Sequence, residues 1–171
     1  TITKNLNSIY STMYFNEILE KQRRISKNLN QTEEIKKNIG ISLKFPSVYR
    51  VAKVDTNFVW IRRDIETGSV NLFISKTPHI TDQSIINRRD SISKIHIPGP
   101  VENTFMSTDL IYKPSTQEIN IGGKQVSETR GLWEIEGQFM AGPFLNYQMK
   151  LDTNENGYLM LDGFVYSPGS A

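Results

Sequence analysis

The chain has 171 residues, which is enough for one domain with a proper hydrophobic core. Hydrophobic residues make up 37% and charged residues 22%, as in ordinary soluble domains, and a net charge of +2 is too small to indicate a nucleic-acid binder. The absence of cysteine excludes disulfides, thiolate metal sites and a cysteine nucleophile.

Helical periodicity dominates residues 5–40. Apolar residues recur there at three-, four- and seven-residue steps, the stripe of an amphipathic helix: Leu6, Ile9, Met13, Phe15, Ile18, Ile25 and Leu29. Residues 28–31 are a weak point in this pattern, and Thr32 followed by two glutamates predicts the start of a second short helix. That helix is expected to run from Ile35 to Ile39 and to end at Gly40.

Strands follow in residues 41–75. Alternating apolar and polar residues predict a short strand at 41–45, its continuation at 48–54 and a stronger strand at 57–64. Pro46 places the first of these at a sheet edge. A turn at 66–69 then leads into a strand at 70–75, which forms a hairpin with the strand at 57–64. In that strand Phe58, Trp60 and Arg62 are expected to share one face.

A further helix is predicted after this hairpin. Thr81 suits the N-cap position and Asp82 suits the first turn. Four isoleucines would form a stripe that packs on the hairpin: Ile85, Ile86, Ile92 and Ile95. The sequence Ile-Pro-Gly-Pro at 97–100 ends the helix, because proline cannot continue it.

The rest of the chain is predicted to consist mainly of strands. Extended structure is expected at 105–111, in a hairpin at 118–126, and in strands at 130–136, 144–151 and 158–166. Gly142 and Pro143 are expected to form the corner between two of these strands. The order of elements predicts an α+β fold, a mainly antiparallel sheet packed with the long N-terminal helix and a second helix. We expect an N-terminal helical segment at 1–40 and an α+β domain at 41–171.

Both faces of the last strands carry large apolar side chains. One face is expected to hold Leu145, Tyr147, Met149, Leu151, Leu159, Leu161 and Val165, and the other Phe144, Tyr158, Met160, Phe164 and Tyr166. A sheet with one solvated face would carry polar residues there instead. Both faces are therefore predicted to be covered, by the helices and by another domain, a partner or a ligand.

Residues 152–157 read Asp-Thr-Asn-Glu-Asn-Gly, the first half of a calcium-binding loop. Position twelve of such a loop needs a bidentate glutamate, but Gly163 stands there, and the flanking patterns are strands. Asn156 and Gly157 between alternating runs are a leading signal for a tight hairpin. We predict a turn, and no metal site or cofactor.

Residue types that serve catalysis are scarce. The two histidines are His79 and His96, and no Gly-x-Ser-x-Gly elbow, P-loop, dinucleotide-binding glycine fingerprint or His-Glu-x-x-His sequence is present. A hydrolase that uses Asp90, His96 or Glu134 is the weakest functional hypothesis.

Several arginines would converge if the predicted hairpin and helix pack on the sheet. Such a cluster suits an anionic or glycan ligand, with candidate ligand-binding residues Arg62, Arg88, Arg89, Asp90, Arg130, Trp133 and Glu134. The alternative is structural, with Arg88 or Arg89 in ion pairs with the acidic residues Asp90, Glu134 or Glu136.

Six motifs occur in a distinctive order: FVWIRR (58–63), RRDS (88–91), IPGP (97–100), RGLWE (130–134), FMAGPF (139–144) and GFVY (163–166). Together they resemble the C-terminal half of the domain-of-unknown-function family 4837, uncharacterised lipoproteins of Bacteroidetes. The resemblance covers residues 40–168, and Ala141 replaces a glycine that is usual in the family.

The resemblance implies a cell-envelope protein, anchored in the outer membrane through a lipidated cysteine upstream of this chain. It implies no established activity and no catalytic residues. The helical pattern that opens at Thr1 also predicts a fragment of a longer protein. The leading hypothesis is a non-enzymatic envelope domain that contacts an envelope protein or the N-terminal domain of its own chain. The alternative is the anion- or glycan-binding domain described above.

Overall fold

The computed structural model describes residues 2–77, 84–151 and 157–168. Its helices are α1 (Ile2–Ile25), α2 (Glu33–Ile39) and α3 (Ile85–His96). Its strands are β1 (Leu29–Gln31), β2 (Lys44–Pro46), β3 (Arg50–Asp55), β4 (Phe58–Ile65), β5 (Gly68–Thr77), β6 (Met106–Thr108), β7 (Ser115–Ile121), β8 (Lys124–Ile135), β9 (Ala141–Lys150) and β10 (Tyr158–Tyr166). The predicted α+β class with an antiparallel sheet is confirmed.

The main sheet has eight strands in the order β3-β4-β5-β10-β9-β8-β6, and β7 also pairs with β8. All its pairings are antiparallel. The long strand β8 therefore pairs with β9 along one edge and with β7 and then β6 along the other. Strands β1 and β2 form a separate two-stranded sheet, because the weak point predicted at 28–31 is extended rather than helical.

Side-chain alternation along the strands gives the main sheet two apolar faces. The face under α3, called the α3 face below, holds a buried cluster of Phe58, Phe73, Ile92, Ile97, Met106, Trp133, Ile135, Phe144, Met160 and Phe164. The opposite face, called the α2 face, holds a buried cluster of Ile35, Ile39, Phe45, Val59, Ile61 and Ile74.

Strand parity predicted cover on both faces of the last strands. On the α2 face, helix α2 contacts β3 and β4, and Leu159 and Leu161 of β10 pack against its cluster. Other side chains of the last strands on that face stay partly exposed outside the cluster, namely Leu145, Tyr147, Met149 and Val165, and their cover by another domain, a partner or a ligand stays a prediction.

The predicted corner at Gly142 and Pro143 is wrong. Both residues lie inside β9, and the chain turns before them, at residues 136–140, where Gly137 has φ 74°. Gly142 is required for a different reason, since a Cβ there would overlap the carbonyl oxygen of Val165 and press on the Trp133 indole. Pro143 is tolerated because it pairs with Leu132 of β8, and the pairing of β9 with β10 begins only at the next residue.

The N-terminal helix α1 has 24 residues, and most of its apolar side chains are exposed, although Tyr14 lies near enough to the sheet to act on the pKa of Arg130 and of Tyr147. At 100° per residue, Leu6, Ile9, Tyr10 and Met13 fall on one side of the helix, and Phe15, Ile18, Leu19 and Ile25 fall almost opposite. No single stripe therefore faces the core, and all of these side chains except Ile18 are exposed. None of the described helices is long and apolar enough to cross a membrane.

Helix α2 has the predicted C-terminal stop, with Gly40 in the left-handed conformation at φ 79°. Helix α3 differs more from its prediction. The expected N-cap at Thr81 lies outside the described residues, and Ser84 caps the helix by accepting a hydrogen bond from the Asn87 N–H. The isoleucine stripe is wrong at Ile95, which is 70% exposed. The side of α3 that faces the sheet instead buries Arg88, Arg89 and Ser93 beside Ile92.

Candidate functional site

Arg89 lies at the centre of a buried polar network between α3 and the sheet. Its side chain has no exposed surface, and its guanidinium carbon lies 3.9 Å from the centre of the Phe144 ring. Nε donates to Asp162 Oδ2 at 2.8 Å and Nη2 donates to Asp162 Oδ1 at 3.4 Å. This two-point contact joins α3 to β10, between residues that are far apart in sequence.

The remaining donors of Arg89 are also used. Nη1 donates to Thr108 Oγ1 at 3.1 Å and to Asp90 Oδ1 at 3.4 Å, and Nη2 lies 3.8 Å from the Met106 sulfur. A guanidinium has five N–H donors, and the two contacts with Asp162 account for the other two. Arg89 therefore has no donor left for a ligand.

The network continues along β9. Asn146 Nδ2 donates to Asp162 Oδ2 at 2.7 Å, and Gln148 Nε2 donates to Asn146 Oδ1 at 3.0 Å. Arg88 Nε donates to Gln148 Oε1 at 3.0 Å, and its guanidinium lies 4.3 Å from the centre of the Tyr158 ring. Burial raises the pKa of the Asp162 carboxyl, while the positive charge and hydrogen bonds of Arg89 oppose that rise.

The other predicted site residues lie elsewhere. Arg62 lies on β4 and Trp133 on β8, and both line a pocket on the α3 face. Arg130 lies on the α2 face, where Nε donates to Glu128 Oε1 at 2.9 Å. Glu134 lies on the same side of β8 as Arg130 and is paired with Ser107 of β6. The seven residues thus divide into three groups: Arg88, Arg89 and Asp90 in the network, Arg62 and Trp133 at the pocket, and Arg130 and Glu134 on the opposite face.

The pocket on the α3 face, called the aromatic pocket below, encloses about 190 Å³ beyond the C-terminal end of α3. Its walls come from β4, β5, β6, β8 and β10, from the segment after α3, and from the turn before β9. Trp133 is 2% exposed, donates from Nε1 to the carbonyl of Val165 at 3.0 Å, and meets the Phe164 ring edge-on at 5.7 Å. Trp133 therefore packs in the hydrophobic core, as its burial indicates.

Over residues 28–171 the sequence matches the family model described as Domain of unknown function (DUF4837). The chain belongs to this family. The match starts before residue 40 and thus includes β1 and α2.

No curated protein matches the sequence. Among solved structures, the chain is similar to the "Crystal Structure of Protein of Unknown Function PA94 from Pseudomonas aeruginosa, Putative Regulator". The two are 13% identical with a TM-score of 0.40, and the comparison covers 82% of this chain and 84% of that chain.

Strand parity could have identified residues that sequence reasoning missed. Asn146 and Gln148 alternate in phase with Phe144, and Asp162 lies between Met160 and Phe164 on the same phase of β10. Polar residues on an otherwise aromatic face indicate a buried polar network, because such residues need partners there. The same signal applies to Ser69 and Asn71 of β5, which are buried beside Phe73.

His96 does not join Asp90 or Glu134 in a common site. It stacks on Phe58 at 3.9 Å between ring centres, and its Nδ1 lies 3.8 Å from Asp55. Burial lowers the pKa of His96, aided by the charge of Lys53 and opposed by that of Asp55. In the described parts of the chain no three His, Asp or Glu residues come together as metal ligands. Most of the calcium-like loop, residues 152–156, lies outside those parts, as does His79.

Proposed function

We propose that the chain is a non-enzymatic interaction domain of the cell envelope and that α1 binds a partner protein. The observation that carries the proposal is the exposure of eight large apolar side chains on α1: Leu6, Ile9, Tyr10, Met13, Tyr14, Phe15, Leu19 and Ile25. Exposed apolar patches of this kind mark interaction surfaces in soluble proteins.

The N-terminal half of α1 is the part suited to apolar contact. Residues 5–16 contain no charged side chain. In the second half the charges already pair within the helix, where Glu17 binds Lys21 at 2.7 Å and Glu20 binds Arg23 at 2.8 Å. Because helices in proteins gain most of their stability from packing of an apolar side, a 24-residue helix whose apolar side chains are mostly exposed gains stability when it docks.

The binding site that suits α1 is an apolar groove on another polypeptide. Leu6, Ile9, Tyr10 and Met13 stand at positions i, i+3, i+4 and i+7, the spacing with which helices fill hydrophobic grooves. A different protein of the envelope is proposed as the owner of that groove. The envelope location is supported by the resemblance to envelope lipoproteins, and fractionation of native cells tests it, since recovery from the cytoplasm would overturn it.

Most of the arginines proposed for the ligand-binding alternative are already bound within the protein. Arg89 has no donor left, Arg88 contacts Gln148 and Tyr158, and Arg130 is bound to Glu128 on the other face. That alternative requires all the arginines to converge on one anion. In the described parts of the chain they do not converge.

The test uses the natural full-length protein with a photo-crosslinking residue at Tyr10, activated in intact cells. We expect a crosslinked partner whose yield falls at least tenfold when Ile9 and Met13 are both replaced by Asp. The matched control replaces Ser8 and Ser11, on the other side of the helix, by Asp and should keep the yield.

Both double variants should keep the melting temperature of the purified chain, because Ile9 and Met13 are 48% and 68% exposed. A wild-type protein that forms no crosslink from Tyr10 would show that α1 is not the contact element, and an unchanged crosslink in the Ile9→Asp, Met13→Asp variant would show that this side of α1 does not bind. A crosslinked product that consists of two copies of this chain would replace the heterologous partner with self-association.

A further inference from the structure

The aromatic pocket has an apolar floor and a polar rim. The floor consists of Ile97, Met106, Trp133, Ile135, Met140 and Phe164. A volume of about 190 Å³ far exceeds the roughly 30 Å³ that one water occupies, and apolar cavities of about 150 Å³ take up benzene. The pocket as a whole therefore has the size for one six-membered ring with a short substituent.

Both indole N–H groups at the pocket are bound within the protein. Trp60 Nε1 donates to Asn71 Oδ1 at 3.1 Å, and Trp133 Nε1 donates to the carbonyl of Val165 at 3.0 Å. Asn71 in turn donates from Nδ2 to Ser69 Oγ at 3.0 Å. The tryptophans thus present ring carbon to the cavity, which suits an apolar body rather than a hydroxylated one.

The rim carries positive charge through Arg62. Its Nε donates to Asp64 Oδ1 at 2.6 Å, but Asp64 also accepts from Arg50 Nη2 at 3.1 Å, so one carboxylate serves two guanidinium groups. Within the described parts of the chain, the Nη groups of Arg62 have no hydrogen-bond partner. The rim therefore carries a guanidinium with free N–H donors above the apolar floor of the pocket.

We propose that the aromatic pocket binds a small monocarboxylate with a single apolar ring, its ring on the floor and its carboxylate on the Nη groups of Arg62. A single surplus positive charge matches a single negative charge, and a guanidinium fork matches the two oxygens of a carboxylate. A sugar ring fits less well, because its hydroxyl groups would lose their water without gaining partners on the floor. This site is independent of α1 and of the partner proposed above.

Calorimetric titration of the intact chain with phenylacetate and with neutral phenylacetamide tests the assignment. We expect phenylacetate to bind more tightly than the amide. Arg62→Gln should weaken phenylacetate binding about tenfold, the usual effect of losing a charge-assisted hydrogen bond, and leave amide binding unchanged. Arg63→Gln is the matched control, since Arg63 is exposed on the opposite side of β4, and it should change neither affinity.

A second variant tests whether the ligand occupies the aromatic pocket itself. Met140 lies in the turn before β9 and is only partly buried, so Met140→Trp should fill the aromatic pocket without unfolding the chain. It should abolish binding of both compounds and leave the denaturant midpoint near that of the wild type. The proposal is overturned if the wild type binds neither compound at millimolar concentration, if Met140→Trp still binds, or if Arg62→Gln leaves the preference for phenylacetate intact.

Discussion

At the scale of single residues, the contact between Arg89 and Asp162 dominates the polar interior of the α3 face. Both side chains are completely buried, and each satisfies the charge of the other. A buried charge that loses its partner destabilises a protein far more than the intact pair stabilises it. We therefore predict that Asp162→Asn lowers the free energy of unfolding by ~3 to 5 kcal/mol, measured by urea denaturation.

The double variant Arg89→Met, Asp162→Asn is the control for this prediction. It removes both charges and keeps an amide that can still meet Asn146. The double variant should be more stable than Asp162→Asn alone, because it removes the buried charge of Arg89, which the partly exposed Asp90 at 3.4 Å balances only in part. Losses that simply add would contradict the account and make the two side chains energetically independent.

The buried network also shows what the sequence could not predict at this scale. Ion pairing of Arg88 or Arg89 was an open alternative, with Glu134 or Glu136 as the partner, but Asp162 is the partner of Arg89. The choice among acidic residues depends on which strand lies next to β5, and that strand is β10. Sequence patterns give the phase of a strand but not its neighbour in the sheet.

At the scale of elements, α1 and α2 differ in how they depend on the sheet. Ile35 and Ile39 of α2 are buried in the cluster on the α2 face, whereas the described side chains of α1 are exposed or partly exposed. Helical periodicity predicted α1, and Thr32 with the two glutamates after it, together with Gly40, predicted α2. Such signals report that a helix forms and not what covers its apolar side. The division at residue 40 stays a prediction of domain organisation.

Two truncations separate these contributions. Removal of residues 1–26 should change the melting temperature of the chain by no more than a few degrees, because little buried surface is lost. Removal of residues 1–40 also deletes α2 and should cost at least ~3 kcal/mol, since two buried isoleucines contribute about 1.5 to 3 kcal/mol each. Equal melting temperatures for the two truncated chains would show that α2 does not stabilise the sheet.

At the scale of the whole molecule, the sheet joins its two apolar clusters through shared strands. Phe58 and Val59 are neighbours on β4 yet belong to opposite clusters, as do Phe73 and Ile74 on β5. Strand parity predicted this arrangement because large apolar residues occupied both phases of the last strands. Parity could not predict the close approach at Gly142, which arises from packing of Trp133 against β9 and β10.

Since no strand of the β4–β5–β10 centre belongs to one cluster alone, we predict that the two faces unfold together. Trp60 and Trp133, the two tryptophans of the chain, both lie on the α3 face and report on that face by fluorescence. Ile35→Ala, a change on the α2 face, should cost ~2 to 5 kcal/mol as the loss of a buried side chain.

That loss should shift the tryptophan fluorescence transition in urea as far as it shifts the circular dichroism transition of the whole sheet. Trp133→Ala provides the reciprocal variant and should cost ~3 to 5 kcal/mol from the α3 face. A fluorescence transition that stays in place when Ile35 is truncated would mean that the α2 face melts separately. The shared strands would then fail to couple the faces, and the aromatic pocket would be stabilised by its own cluster alone.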